Sequence, residues 1–181
     1  SDNFSAGLWG VQNWNERKGG NKSAMGIKID YPNDLFDIAM MYTFFGDSID
    51  PGLGFLPRKS YHYMYNSISY MPRLEKGWIG DMVRQWFFEL QVKSYWNLAG
   101  KLESRRIFTA PVNFRTESGE HIEFNVIPNT EVLPENFEVS DGMIIPEGRY
   151  NFISYRAEIN TAAYRKIQFD MSYRFGQFYG G

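Results

Sequence analysis

From position 166 to 175 the chain alternates strictly. Lys166, Gln168, Asp170, Ser172 and Arg174 fall on even positions, and Ile167, Phe169, Met171, Tyr173 and Phe175 on odd ones. A helix would scatter this order around its circumference. A strand sends successive side chains to opposite faces and sorts it into one apolar and one polar surface. Just upstream, Ile153, Tyr155, Ala157 and Ile159 alternate in the same way with Ser154, Arg156, Glu158 and Asn160. Asn160-Thr161-Ala162-Ala163 is short enough for a tight connection, so a long β-hairpin is expected. The run from 164 to 175 reaches the roughly 9–11 residues that a tilted strand needs to cross a bilayer, where strands of soluble sheets more often have about 5–6.

The same template recurs along the chain. Trp9 and Val11 oppose Gln12 in a strand expected over 8–14, and the polar, Gly-rich run from Glu16 to Asn21 follows as a turn. Met25, Ile27, Ile29 and Tyr31 face away from Lys28 and Asp30, and Pro32-Asn33-Asp34 then turns the chain into a strand with Phe36, Ile38, Met40, Tyr42 and Phe44 on one side. Tyr61, Tyr63 and Tyr65 alternate with His62 and Met64 before the apolar parity moves to Ile68 and Tyr70. A β-bulge near Asn66 or Ser67 is the simplest account of that change, and a strand apolar on both faces also fits it. Trp86, Phe88, Leu90, Val92 and Trp96 line one face of a further long strand against Glu89, Gln91 and Lys93. Tryptophan near both ends of an apolar stripe is what two interfacial aromatic girdles produce, and core tryptophans of a soluble sheet produce it too.

Between 98 and 114 the alternation weakens, and Pro111 is expected to confine strand structure to one side of it. Glu117-Ser118-Gly119-Glu120 reads as a turn before Ile122, Phe124 and Val126. The stretches 46–58, 72–81 and 128–148 lack a clean period and are expected to be loops. These segments total about nine strands with no helical stretch and no domain boundary, which places the chain in the all-β class as an antiparallel meander of long strands, a transmembrane-type β-barrel or partial barrel.

Composition narrows the chemistry. A net charge of -2 argues against nucleic acid held on a basic surface, and the absence of cysteine removes disulfides, thiolate metal sites and cysteine nucleophiles. Aromatic residues make up 18% of the chain, which suits a sheet with one greasy and one wet face and equally a sugar-binding β-sandwich. His62 and His121 lack the spacing of a zinc motif, so both are expected to be polar residues of a lumen or surface. Asp47 and Asp50 lie in a Gly/Pro loop without a full calcium-loop pattern and read as turn caps. Glu89 and Asp170 would need to stand about 5–10 Å apart to act as a glycosidase pair. No catalytic residue and no cofactor is assigned.

Two motifs carry a resemblance. The loop Asp50-Pro51-Gly52-Leu53-Gly54-Phe55-Leu56-Pro57-Arg58, and the series from Ile145-Pro146-Glu147-Gly148-Arg149-Tyr150 through Phe175-Gly176-Gln177-Phe178-Tyr179-Gly180-Gly181, resemble a bacterial family of unknown function. Its members join a module similar to carbohydrate-binding family 9 to a C-terminal outer-membrane β-barrel. The resemblance implies a piece of that barrel, completed by further strands, and supplies no catalytic residues. The expected arrangement has Trp86, Phe88, Leu90, Val92, Ile167, Phe169, Met171, Tyr173 and Phe175 against lipid. Glu89, Gln91, Lys93, Arg156, Glu158, Lys166, Gln168, Asp170 and Arg174 would face a lumen. The expected partners are the bilayer and a saccharide or other polar solute, whose passage or surface binding is the expected role, and the expected location is the bacterial outer membrane; the alternatives are a soluble carbohydrate-active β-sandwich and a lipocalin-like soluble barrel holding an apolar ligand.

Overall fold

The computed structural model describes residues 3–14, 19–52, 55–56, 58–74 and 77–179. Ten strands form one antiparallel sheet: β1 (Ser5–Gln12), β2 (Ser23–Tyr31), β3 (Phe36–Phe45), β4 (Tyr61–Tyr70), β5 (Val83–Trp86), β6 (Phe88–Asn97), β7 (Leu102–Thr116), β8 (His121–Leu133), β11 (Gly148–Asn160) and β12 (Asp170–Gly176). The order across it is β1-β2-β3-β4-β6-β7-β8-β11-β12, with β5 paired to the far end of β7. The short strands β9 (Phe137–Ser140) and β10 (Met143–Ile145) form a separate hairpin, and one helical turn, α1 (Gly77–Gly80), precedes β5. The sheet is a meander in which each strand pairs with its sequence neighbour, apart from β5 and the excursion through β9 and β10. It is open: β1 and β12 are its edges.

The registers sort every strand onto two continuous faces. Ile27, Tyr42 and Met64 stand in one row, as do Ile38, Ile68 and Leu90, and Val126, Tyr155 and Phe175 in a third. Thr43, Tyr63 and Tyr95 share the opposite face, followed along the sheet by Lys93 with Arg106 and by Glu123 with Glu158. Burial runs against the usual sense. Ile68 is 43% and Leu90 42% exposed on the apolar face, whereas Ala24, Thr43, Ala110, Asn113, Asn125 and Ile127 are buried and all lie on the polar one. The enclosure of these side chains marks the polar face as the inner, concave side of the sheet. Among strand residues of the apolar face, Ser94 is buried, under a hydrogen bond from Arg105 Nε at 3.3 Å, and so is Val83, at the start of β5 opposite Thr116.

Aromatic rings border the apolar face at both ends. Phe36 stacks on Tyr70 at 4.9 Å, Tyr70 on Phe88 at 6.3 Å, Phe88 on Trp86 at 5.6 Å, and Trp86 meets Phe114 at 4.9 Å, forming a row across β3 to β7. At the other end of the same strands, Phe44 packs on His62 at 5.2 Å, and His62 pairs with Trp96 in register. Ile38, Met40, Met64, Ile68, Leu90 and Val92 fill the space between.

Several sequence expectations are corrected. β4 pairs without interruption on both sides, so it has no bulge at Asn66 or Ser67. Tyr61, Tyr63 and Tyr65 lie on the concave face, Ile68 and Tyr70 on the apolar one, and the strand is apolar on both. The bulge is in β7, between Thr109 and Val112, where Pro111 sits. A proline without an N–H is tolerated where the ladder is already interrupted, so β7 passes through it for 15 residues. The extra residue also moves the apolar parity from Ile107 and Thr109 to Val112 and Phe114, which is why the alternation weakens there. β8 likewise runs through Pro128 to Leu133, and β9 and β10 order much of the stretch from 137 to 145.

The strand expected from Trp86 to Trp96 is two strands. Trp86 ends β5, the chain steps aside at Phe87, whose N–H donates to Asn113 O at 2.8 Å, and β6 begins at Phe88. The last hairpin forms, but its connection spans 161–169 and β12 starts at Asp170. Lys166, Ile167, Gln168 and Phe169 therefore lie in a loop and not on strand faces. That loop is held by its own side chains: Gln168 Nε2 donates to Ala163 O at 2.7 Å, and Tyr164 donates its hydroxyl to Ser118 O at 2.5 Å. The first strand starts at Ser5 and ends at Gln12, ahead of the expected 8–14.

Candidate functional site

The concave face carries the chemistry of the molecule, and strand periodicity puts it there. In β6, Glu89, Gln91 and Lys93 point to one side because they are two residues apart, and the β6–β7 register sets Lys93 opposite Arg106 and Gln91 opposite Phe108. These five residues line a recess of about 170 Å³. Gln91 Nε2 donates to Glu89 Oε1 inside it. Lys93 lies 5.5 Å from the Tyr65 ring centre, so the ammonium faces an aromatic surface on one side and the Arg106 row on the other. The three lumen residues expected from β6 thus share one pocket with two that the sequence pattern did not single out.

Toward β1 the same face becomes aromatic. Trp9 packs on Phe45 at 5.9 Å, Phe45 on Tyr61 at 5.1 Å, and Tyr61 and Tyr63 both meet Tyr95, at 5.6 and 4.6 Å. The Arg58 guanidinium caps this group 4.7 Å above the Tyr95 ring and pairs with Glu103 at 3.4 Å. Flat, partly buried rings beside charged groups make a surface on which a polar solute with one apolar side can stack.

Toward β12 it becomes charged. Glu123 and Glu158 stand directly opposite each other, with His121 one row away. Asn125 Nδ2 donates to Glu123 Oε1 at 2.7 Å, Asn160 Nδ2 donates to Glu158 Oε1 at 2.8 Å, and His121 Nε2 meets Asn113 Oδ1 at 2.8 Å. Arg156 pairs with Glu158 and stands opposite Arg174. Asn125 is completely enclosed, and its Oδ1 has no hydrogen-bond partner among the described residues. An orphan of that kind costs about 1–3 kcal/mol.

Beyond the strand ends, Arg84, Arg115, Glu117, His121, Thr161 and Tyr164 help to line an open cleft of about 620 Å³. Its rim is fixed by Glu120. Hydrogen bonds from Ser118, from Thr116 at 2.7 Å and from Arg165 at 2.8 Å hold the Glu120 carboxyl down at about 2.

Of the expected lumen residues, Arg156, Glu158, Asp170 and Arg174 lie on the concave face with Glu89, Gln91 and Lys93, while Lys166 and Gln168 lie in the loop after β11. Phe88, Leu90, Val92, Met171, Tyr173 and Phe175 lie on the apolar face, and Trp86 reaches it from β5 as the register partner of Phe114. Glu89 and Asp170 are four strand positions apart along the sheet and are not neighbours. Asp50 Oδ1 accepts from Gly52 N–H at 3.0 Å and caps its turn, whereas Asp47 Oδ1 accepts from Asn21 N–H at 2.5 Å and ties the loop after β3 to the one before β2. In the loop motif, Asp50, Pro51, Phe55 and Arg58 are described, Phe55 being strongly exposed, whereas Leu53, Gly54 and Pro57 lie outside the described residues, as do Glu16 to Lys18 in the first turn and Gly180-Gly181. No protein-family model, curated protein or solved structure matches the chain.

Proposed function

We propose that this sheet is part of an outer-membrane β-barrel whose apolar face meets lipid and whose concave face lines a path, or a surface binding site, for a saccharide or other polar solute. The observation that carries the reading is the exposed apolar face bordered by aromatic rows. From Phe36 to Phe44 the band covers eight residue steps of β3, about 27 Å along the strand and about 21 Å along the normal of a sheet tilted near 40°, close to the roughly 25 Å apolar band of such barrels. Soluble barrels and sandwiches bury their apolar sides, and here the buried side is the polar one.

The open edges set a condition on this reading. Backbone groups in hydrocarbon must be paired, so β1 and β12 require partner strands in a bilayer, from further sequence or from another chain. The resemblance to barrels attached to sugar-binding-like modules favours a saccharide, and the Tyr61–Tyr63–Tyr95 group beside Lys93 and Arg106 offers both stacking and charge for one. The alternative, a soluble carbohydrate-active sandwich, would have to cover Ile68 and Leu90 with a second layer.

Expression without a fusion partner, followed by circular dichroism and sedimentation with and without detergent, tests the proposal. Dependence of monodisperse β-structure on detergent or lipid supports it. A compact, folded, monodisperse species in plain buffer overturns it and directs attention to sugar binding by the exposed aromatics.

A further inference from the structure

Glu123 and Glu158 are a directly opposed cross-strand pair. Like charges in that position repel at a Cβ separation of about 5 Å, and in this structure Arg156, paired with Glu158, is the cation that offsets them. His121 joins them from the same face of β8, and one ligand atom from each of the three lies within 4.8 Å of the other two. Each is oriented by an asparagine: Asn113 on His121 Nε2, Asn125 on Glu123 Oε1 and Asn160 on Glu158 Oε1. Because Asn113 presents its oxygen to the imidazole, Nε2 carries the proton and Nδ1 keeps a free lone pair. This is the outer shell that aims ligands at a metal.

A second observation is independent of the cluster. Asn125 is 0% exposed, its amide lies against Glu123, and its Oδ1 has no donor among the described residues. A cation held by the carboxylates beside this amide would offer that oxygen the partner it lacks. We propose that His121, Glu123 and Glu158, beside the buried Asn125, form a binding site for a divalent transition-metal ion on the concave face. One imidazole with two carboxylates selects zinc or manganese over calcium and magnesium, which take oxygen alone. Ligands of a tetrahedral zinc stand about 3.3 Å apart, so the three atoms close by about 1.5 Å on binding, within the reach of glutamate torsions. Arg156, now paired with Glu158, is the competing cation and moves aside.

Zinc chloride titrated calorimetrically into the full chain, in the medium that keeps its β circular dichroism, tests this. One equivalent should bind, with affinity reduced about tenfold or more by Glu123→Gln and by Glu158→Gln while the β-signal is retained. Arg156→Gln should strengthen binding and His62→Gln should leave it unchanged, and excess calcium or magnesium should not displace the zinc. The site is overturned if the wild type binds no zinc, if both glutamine variants bind it as well as the wild type, if affinity follows His62, or if Arg156→Gln weakens it.

Discussion

Arg165 Nε donates to Glu120 Oε1 at 2.8 Å and, across 45 positions of sequence, ties the loop after β11 to the turn before β8. The Ser118 and Thr116 hydroxyls close on the same carboxylate, and together the three depress it from 4.5 to about 2. A depressed folded value means that the unfolded chain takes up the proton first. The contribution of this network is therefore complete above about pH 4.5 and is lost as pH falls toward about 2. Thermal unfolding of the wild type and Glu120→Gln over pH 7 to 2 should show the two midpoints converging through that window. Parallel curves would mean that the Glu120 carboxylate contributes nothing to the pH dependence.

Gly26 supports Trp9. A Cβ at position 26 would stand 2.4 Å from the Trp9 indole nitrogen, and the ring lies on that spot because nothing else occupies it. Gly26→Ala pushes the part-exposed Trp9 ring off that spot and should cost about 1 kcal/mol in chemical unfolding. In a Trp9→Ala background the same change should cost close to nothing, since a strand otherwise favours alanine over glycine. Additive effects in the double variant would mean that the ring is not held there.

The all-β class and most strand pairs were legible because alternation at period two is a local signal, and a meander pairs sequence neighbours. The misplaced features either hide that period or imitate it. Pro111 inserts a residue into β7 and reverses the parity of the positions after it. In β4 the tyrosines of the concave face imitate a parity shift where the register has none. In 164–169 the alternation continues without a strand, because Gln168 and Tyr164 commit the segment to other partners. The concave charged cluster was less accessible still. Glu123 and Glu158 meet only through the β8–β11 register, and His121 has no motif spacing to announce it.

Charge should be tolerated on one face of β6 and not on the other. Leu90→Arg places a guanidinium on the apolar band and should cost about 2–4 kcal/mol in lipid or detergent. Gln91→Arg, which adds a cation to the recess beside Lys93 and Arg106, should cost about 1 kcal/mol or less. Urea unfolding in lipid vesicles measures both, and equal costs would argue that neither face meets hydrocarbon.

The most direct test uses the absence of native cysteine. Single cysteines placed one at a time from 88 to 93 in the chain reconstituted in lipid vesicles would be scored for reaction with a water-soluble maleimide. If the apolar face meets lipid, labelling follows a two-residue rhythm, with Glu89, Gln91 and Lys93 positions labelled rapidly and Phe88, Leu90 and Val92 positions protected until the lipid is removed. Uniform labelling, or protection of the odd positions instead, would contradict a lipid-facing band.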